Sequence, residues 1–422
     1  MPTSEIALKS PQNKGNKYEQ LIKKHPEVGK AVLKGSWDFI GHSNKGTVET
    51  LNPLWMKNIG QNLKNKLWRK CGSVRKDCIG LGKNKALIGV GAGQSFNKNK
   101  HVLKNIIDLD ACKDWRDRDF IVIASNHQFK PLLEMGIIPD FVILVDGSDV
   151  VYNQLLQDIP EEGQNTILLA GLHCSPNVLK EWTGQKRELR FFLTTTKEVR
   201  EEFRKITGKN PTGHIVLQGG NVLNTMLTLG LQVFNSQVFF ALGNDLSYPI
   251  QEELENQRTS YYADGDYSSN RSGTGTGRDE AASKKKWMGF NITTKMSLDY
   301  RNHNSYHIEL EEVGTSRTLW VYKTWLETNM LLNSYKPEAL QVKYYNCTEG
   351  GIAGVMVHND NDEFMNDISN WFLLDEVCPQ WHTIMLEDAA NQFLKAKEVM
   401  YQWERGEMLY AVPNATSLVQ TI

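Results

Sequence analysis

From Ala86 onward the chain repeats one pattern: a short apolar run closed by Gly, Ser, Asn or Asp. Ala86–Val90 leads into Gly91-Ala-Gly-Gln-Ser95, Phe120–Ala124 into Ser125-Asn126, and Phe141–Val145 into Asp146. Runs of four or five apolar residues are too short for a helix and lack polar alternation. They read as strands buried on both faces, the habit of parallel sheets. Thr166–Ala170, Leu189–Leu193, Val238–Leu242 and Val342–Tyr345 continue the series. Between them lie helical stretches at Val102–Ile107, Gln128–Met135, Val150–Gln157, Asn177–Glu181, Lys197–Ile206 and Val222–Phe234. This alternation predicts an α/β fold, a doubly wound, mostly parallel, Rossmann-like sheet with right-handed crossovers.

Ligands of open α/β sheets bind at the C-terminal ends of the strands. The candidate residues are therefore those that close the runs. Gly91, Gly93 and Ser95 form a tight turn before a helix, where backbone N–H groups can meet a phosphate. The turn lacks the third glycine of the dinucleotide fingerprint and the Gly-Lys-Ser/Thr of a P-loop. Ser95 either bonds the phosphate or caps the helix. Asn126 either reads a base or ribose or caps the helix that follows. Asp146 either binds a hydroxyl or metal-bound water or bonds its own backbone in a turn. Asp245 closes the Val238–Leu242 strand. His173 follows the Thr166–Ala170 strand and is the general-base candidate by position, with His127 second; a lone histidine is more often structural. No nucleophile elbow is present.

Five stretches in order carry a family resemblance: Gly91-Ala-Gly-Gln-Ser95, Gly136-Ile-Ile-Pro-Asp-Phe-Val142 ending in Asp146, Gly219-Gly-Asn-Val-Leu-Asn-Thr225, Leu242-Gly-Asn-Asp-Leu-Ser-Tyr248 and Asn346-Cys-Thr-Glu-Gly-Gly351. Together they resemble the MptE-like family, which includes the motility accessory factor (Maf) proteins linked to flagellin glycosylation. The resemblance implies a nucleotide-dependent transferase. Its catalytic candidates are Asp245, Asp146 and His173, and its substrate- or nucleotide-binding candidates are Gly91, Gly93, Ser95, Asn126, Asn221, Tyr248, Thr348, Glu349 and Gly350. The family's Ser/Gly-His-Ala run is replaced here by Tyr261-Tyr-Ala263, so no family histidine carries over.

Three functions follow as alternatives. A Maf-like glycosyltransferase would move a nonulosonic-acid-type sugar from a CMP donor to a hydroxyl acceptor, such as a protein hydroxyl, and requires no cofactor. An MptE-like pyrophosphokinase would transfer pyrophosphate from ATP to a hydroxymethylpterin and needs Mg²⁺ held by Asp146 or Asp245. A non-catalytic nucleotide- or sugar-binding protein is the third. In all three, Gly93→Val is expected to abolish nucleotide binding and spare the fold.

The flanks are read from composition. Residues 1–50 are expected to be a mobile polar arm, with a short helix at Lys17–Leu33 interrupted by Pro26, and 51–85 a basic helical segment docked through Trp55, Leu63, Leu67 and Trp68. Residues 86–354 form the nucleotide-binding domain. It carries a Gly/Ser-rich, lid-like insertion at 249–286, and an amphipathic helix is expected at Leu319–Leu332. Residues 355–422 read as an acidic helical region. Lys57–Lys85 holds nine Lys/Arg against Asp77 alone. It is either a solvated face or a device steering an anionic substrate to the adjacent glycine turn. Net charge of −1 gives no global signal for nucleic acid. No run of eighteen apolar residues occurs, so no membrane span is expected. The first residues lack a signal-peptide pattern, and the six cysteines include no Cys-x-x-Cys pair. A cytoplasmic protein with reduced thiols and no structural zinc is the expectation.

Overall fold

The computed structural model describes residues 5–7, 26–111, 113, 117–249, 290–302, 305–334, 341–348, 351–353 and 384–404. Its first long element is a helix, α1 (Pro26–Lys64). A two-residue strand follows, β1 (Gly72–Ser73). Then come β2 (Ala86–Val90), α2 (Phe96–Ala111), β3 (Phe120–Ser125), α3 (Asn126–Glu134) and β4 (Phe141–Leu144). After α4 (Tyr152–Leu155) come β5 (Ile167–Gly171), α5 (Pro176–Gly184), β6 (Leu189–Phe192) and α6 (Lys197–Thr207). The core closes with α7 (Val222–Leu229), β7 (Val238–Leu242), α8 (Arg317–Ser334), β8 (Lys343–Asn346) and α9 (Leu386–Glu404).

The strands form an eight-stranded sheet in the order β8-β7-β2-β3-β4-β5-β6-β1, and every pair is parallel. The chain steps outward from β2 to β6, then returns past β2 to lay down β7 and β8. That reversal makes the gap between β2 and β7 the topological switch point, where open α/β sheets receive ligands. Register fixes the two strands together, with Val90 opposite Leu242.

Side chains alternate between two faces, as a strand period of two requires. Leu87, Ile121, Ile123, Ile143 and Phe239 pack with α7 and α8 on one face. Val90, Phe120 and Val122 pack with α2 and α9 on the other, which α3 and α5 continue against Val142 and Leu168. The helix α8 is buried almost all round. It carries an ion pair inside the protein, Lys323 Nζ to both Glu327 carboxylate oxygens at 2.7 Å.

Three expectations change. Residues 26–50 are not a separate arm, because α1 runs through residue 50 to Lys64 with Pro26 in the first position, where a proline costs no helical hydrogen bond. The central part of the basic segment, Lys64–Lys76, is not adjacent to the glycine turn. Gly72–Ser73 pairs with β6 at the far edge, five strands from β2, about 24 Å at roughly 4.8 Å per strand. Lys64, Lys66, Arg69, Lys70 and Lys76 there are solvent-exposed. Third, two long strands, Phe290–Asn302 and Ser305–Ser316, precede α8 where no element was expected; they pair antiparallel with each other, and Ser305–Ser316 also pairs with Tyr248–Pro249 and Glu5–Ala7. Residues 250–286 of the lid-like insertion lie outside the described residues, as does the chain between 354 and 383.

Candidate functional site at the C-terminal edge of the sheet

At the switch point the turns after β2, β7 and β8 interlock. Gly91 N–H donates to Leu242 O at 2.8 Å, and Gly93 N–H to Gly243 O at 2.9 Å. A Cβ at Gly91 or at Gly93 would stand 2.6 Å from Gly243 O, and one at Gly93 also 2.7 Å from the Asp245 carboxylate. These glycines are therefore required by the approach of two backbones. Gly93→Val would break that packing before it could act on a ligand, which corrects the expectation that the fold survives it.

Asp245 closes this arrangement. Its carboxylate accepts the Ser95 N–H at 2.9 Å and a short bond from the Ser95 hydroxyl. A negative charge at the start of α2 is favoured by the helix dipole. The turn that carries it is tight: Gly243 has φ +61° and Leu246 φ +53°, the left-handed region that a branched side chain enters at a cost. The β8 turn wraps the same residues. Thr348 is fully buried and its Oγ1 accepts the Asn244 N–H at 3.1 Å. Ile352 N–H donates to Asp245 O at 3.0 Å, and a Cβ at Gly351 would meet that oxygen at 2.7 Å.

Gly91, Gly93, Ser95, Asp245 and Thr348 thus meet, while the other candidates stand elsewhere. Asp146 follows β4, three strands from β7, about 14 Å at roughly 4.8 Å per strand, so one small ion cannot bridge it to Asp245. Its side chain is exposed and accepts the Ser148 N–H at 2.8 Å, a local turn. Asn126 is buried and bonds Gln154. Asn221 caps α7, accepting the Asn224 N–H at 2.7 Å. The Tyr248 backbone pairs with Gly314. Glu349 and Gly350 lie outside the described residues.

His173 is not in the crevice. It is 1% exposed, its Nε2 lies 3.0 Å from Val145 O, and Trp55 of α1 stands edge-on at 5.4 Å. A carbonyl only accepts, so Nε2 carries the hydrogen. Burial, partly opposed by the Val145 bond and by Asp146, lowers its pKa to about 4. The cover over it is α1. Asn58 Nδ2 donates to Gly147 O at 2.8 Å and His173 O at 3.0 Å, while Asn62 Nδ2 donates to Leu172 O and Cys174 O at 2.9 and 3.0 Å. Two asparagines one helical turn apart therefore seal the ends of β4 and β5. Asn58 and Asn62 were missed by the sequence reading; their four-residue spacing was the signal.

The edge is poor in cations. Segments 91–95, 125–128, 145–149, 172–175, 215–221 and 243–247 contain no Lys or Arg, and carry Asp146, Asp149 and Asp245. Among the described residues, no cluster of three or more His, Cys, Asp or Glu could hold a metal ion. No helix among them is long and apolar enough to cross a membrane.

Residues 55–251 match the MptE-like family. Its description is 6-hydroxymethylpterin diphosphokinase MptE-like, and the MptE-like match runs from the second half of α1 through β7 and the Asp245 turn. Among solved structures, the Maf glycosyltransferase from Magnetospirillum magneticum AMB-1 is similar at 14% identity with a TM-score of 0.40, covering 78% of this chain and 42% of that one. The chain thus spans less than half the length of that protein. Comparison with curated proteins gives no match. The matched region contains the glycine turn, Asp146 and Asp245; β8, Thr348 and α1 from Pro26 to Leu54 lie beyond it.

Proposed function

We propose that the chain is a nucleotide-dependent transferase working at this edge, and that it moves a nonulosonic-acid-type sugar from a CMP donor to a hydroxyl acceptor. The MptE-like match supports a transferase-type activity. The observation that supports the finer reading is the character of the described strand-end turns: backbone amides, hydroxyls, carboxamides and three carboxylates, with no Lys or Arg among them. Such groups suit a nucleoside and a sugar, whereas a triphosphate needs counter-charge. In this reading the N–H groups of Ala92 and Gln94, which take no part in the backbone hydrogen bonds of the turn among the described residues, receive the donor phosphate. Asp146, exposed at the end of β4, is the base for the acceptor hydroxyl. It takes the proton as the acceptor oxygen bonds to the sugar and the sugar–phosphate bond breaks, releasing CMP.

The diphosphokinase reading has one observation in its favour beyond the family description. Asp146 is exposed, and Mg²⁺ on phosphates needs only one or two protein carboxylates. The ion would neutralise the phosphate oxygens of ATP. Calorimetry separates the readings. CMP should bind in EDTA, and Asp146→Asn should weaken that binding without abolishing it. ATP binding that appears only with Mg²⁺, with CMP inert, would replace the glycosyltransferase by the diphosphokinase. Turnover of any donor excludes a binding protein without activity.

A further inference from the structure

A groove of about 340 Å³ opens between α2 and α9, away from the strand ends that carry the candidate site. The two helices run parallel. At their starts, Asn99 Nδ2 donates to Cys347 O at 2.7 Å, and Ile384 N–H donates to the neighbouring Asn346 O at 3.2 Å. At their ends, Lys113, two residues past α2, and Lys397 of α9 both pair with Asp119. The groove is apolar along its length. Val102, Ile106 and Leu109 of α2 line it at helical spacing, as do Ala390 and Leu394 of α9, and Phe120 of β3 completes the wall. Leu109 is 76% exposed and Leu394 37%. The helix α2 thus carries apolar residues beyond Phe96 and Leu103, the pair it buries fully in the core.

A small-molecule site places a few polar groups so that they converge on its ligand. This groove does not. The Asp110 carboxylate is taken by the Asp119 and Phe120 N–H groups and by Lys113. Among the described residues, no side chain lining the groove has a buried polar atom without a partner. What the groove lacks is apolar cover over the length of two helices. We propose that this face is the interface of a homodimer, in which a second copy of the chain covers the groove. A two-fold axis perpendicular to the helices, through the middle of the groove, lays α2 antiparallel on the partner's α9. It sets Leu109 over the partner's Ala390 and Ile106 over the partner's Leu394. The charges then agree as well. Lys113 and Glu387 stand at opposite ends of the groove in one chain, and the axis brings Lys113 opposite the partner's Glu387, twice by symmetry. Lys113 keeps 40% of its side chain exposed while it bonds Asp110, and Glu387 is exposed. With 16 and 19 residues the helices are about 24 and 28 Å long, and side by side at about 10 Å they present about 500 Å² per copy. Roughly 1,000 Å² in total is the least a specific interface buries, so the dimer is weak and depends on concentration. The inference is independent of the transferase reading.

Sedimentation velocity of the full chain, from low to high micromolar concentration, tests this. The average mass should rise from one chain toward two. Leu109→Glu places a charge in the apolar centre of the interface, and Glu387→Lys sets like charges opposite each other. Both positions are exposed in the single chain, so the Tm at low concentration should not change, while each variant should weaken association at least about tenfold. The register has its own test, which stands even if one of these variants folds poorly. Leu109→Cys chains mixed with Asn391→Cys chains should form a disulfide-linked dimer under mild oxidation, and neither should do so alone, because only the antiparallel arrangement brings Leu109 over the partner's Asn391. A chain that stays monomeric at every concentration leaves the groove to another occupant and overturns the proposal. A dimer that both charge variants leave intact, or one in which the mixed cysteine chains do not link, places the interface elsewhere and overturns it too.

Discussion

His173 offers a quantitative test of the difference between a buried histidine and a catalytic one. Its native pKa is about 4, against an ordinary value of 6.5, because burial disfavours the imidazolium. Between these values the unfolded chain binds a proton that the native protein refuses. Stability is therefore intact above pH 6.5 and falls as the pH drops toward 4. At about 1.4 kcal/mol per pH unit, the loss reaches roughly 2 kcal/mol at pH 5 and about 3 kcal/mol at pH 4. The variant His173→Gln keeps a donor for Val145 O and cannot titrate. Guanidinium denaturation of both proteins at pH 7.5, 6.5, 5.5 and 5.0 isolates the effect, since other ionisable groups cancel in the difference. The wild type should lose about 2 kcal/mol relative to the variant between pH 7.5 and 5.0. Parallel curves, or an imidazole titrating near 6.5 by NMR, would refute the burial argument and return His173 to the list of bases.

Further consequences concern other parts of the fold. Gly93→Val should destabilise the protein by several kcal/mol, on the order expected for overpacking, and calorimetric unfolding without ligand checks this. Lys397 of α9 pairs with Asp119 beside β3. Lys397→Met should cost about 2 kcal/mol and speed hydrogen exchange in Leu386–Glu404; unchanged exchange would mean the pair does not hold the helix. Asp140 accepts the Val122 N–H at 2.8 Å and has its pKa raised to about 6, first by burial. The native state then holds the proton more tightly than the unfolded chain, so the wild type loses stability as pH rises from 4 through 6. The Asp140→Asn variant should gain about 2–3 kcal/mol on the wild type across that range, read from paired denaturation curves.

The sheet was legible because its strands are buried on both faces. Val238–Leu242 is apolar throughout and needs no partner to be recognised as a strand. The switch point was not legible, since no local pattern records that the chain returns past β2 after β6. The contact between Asp245 and Ser95 follows from that return alone. The helix α1 escaped because it changes partners along its length. A helix facing one core shows one apolar stripe, whereas this one buries Ile40 on one side of the sheet and Ile59 and Leu63 on the other, with Pro53 between. The strands Phe290–Asn302 and Ser305–Ser316 were readable. Ile292, Thr294, Met296, Leu298 and Tyr300 recur at every second position, the half-buried strand pattern that a reading tuned to continuous apolar runs passes over.

A 39-residue helix is a rod of about 58 Å at roughly 1.5 Å per residue. Here it is clamped at one end among the residues of α8 and at the other among those of α5 and α6. A rod held this way works as a beam across the sheet. Asn58 and Asn62 grip the turns after β4 and β5, and Pro53 lies between them and the end held at α8. One continuous element thus belongs to both layers of the protein, and a cut in it between Ile40 and Ile59 would part the two faces.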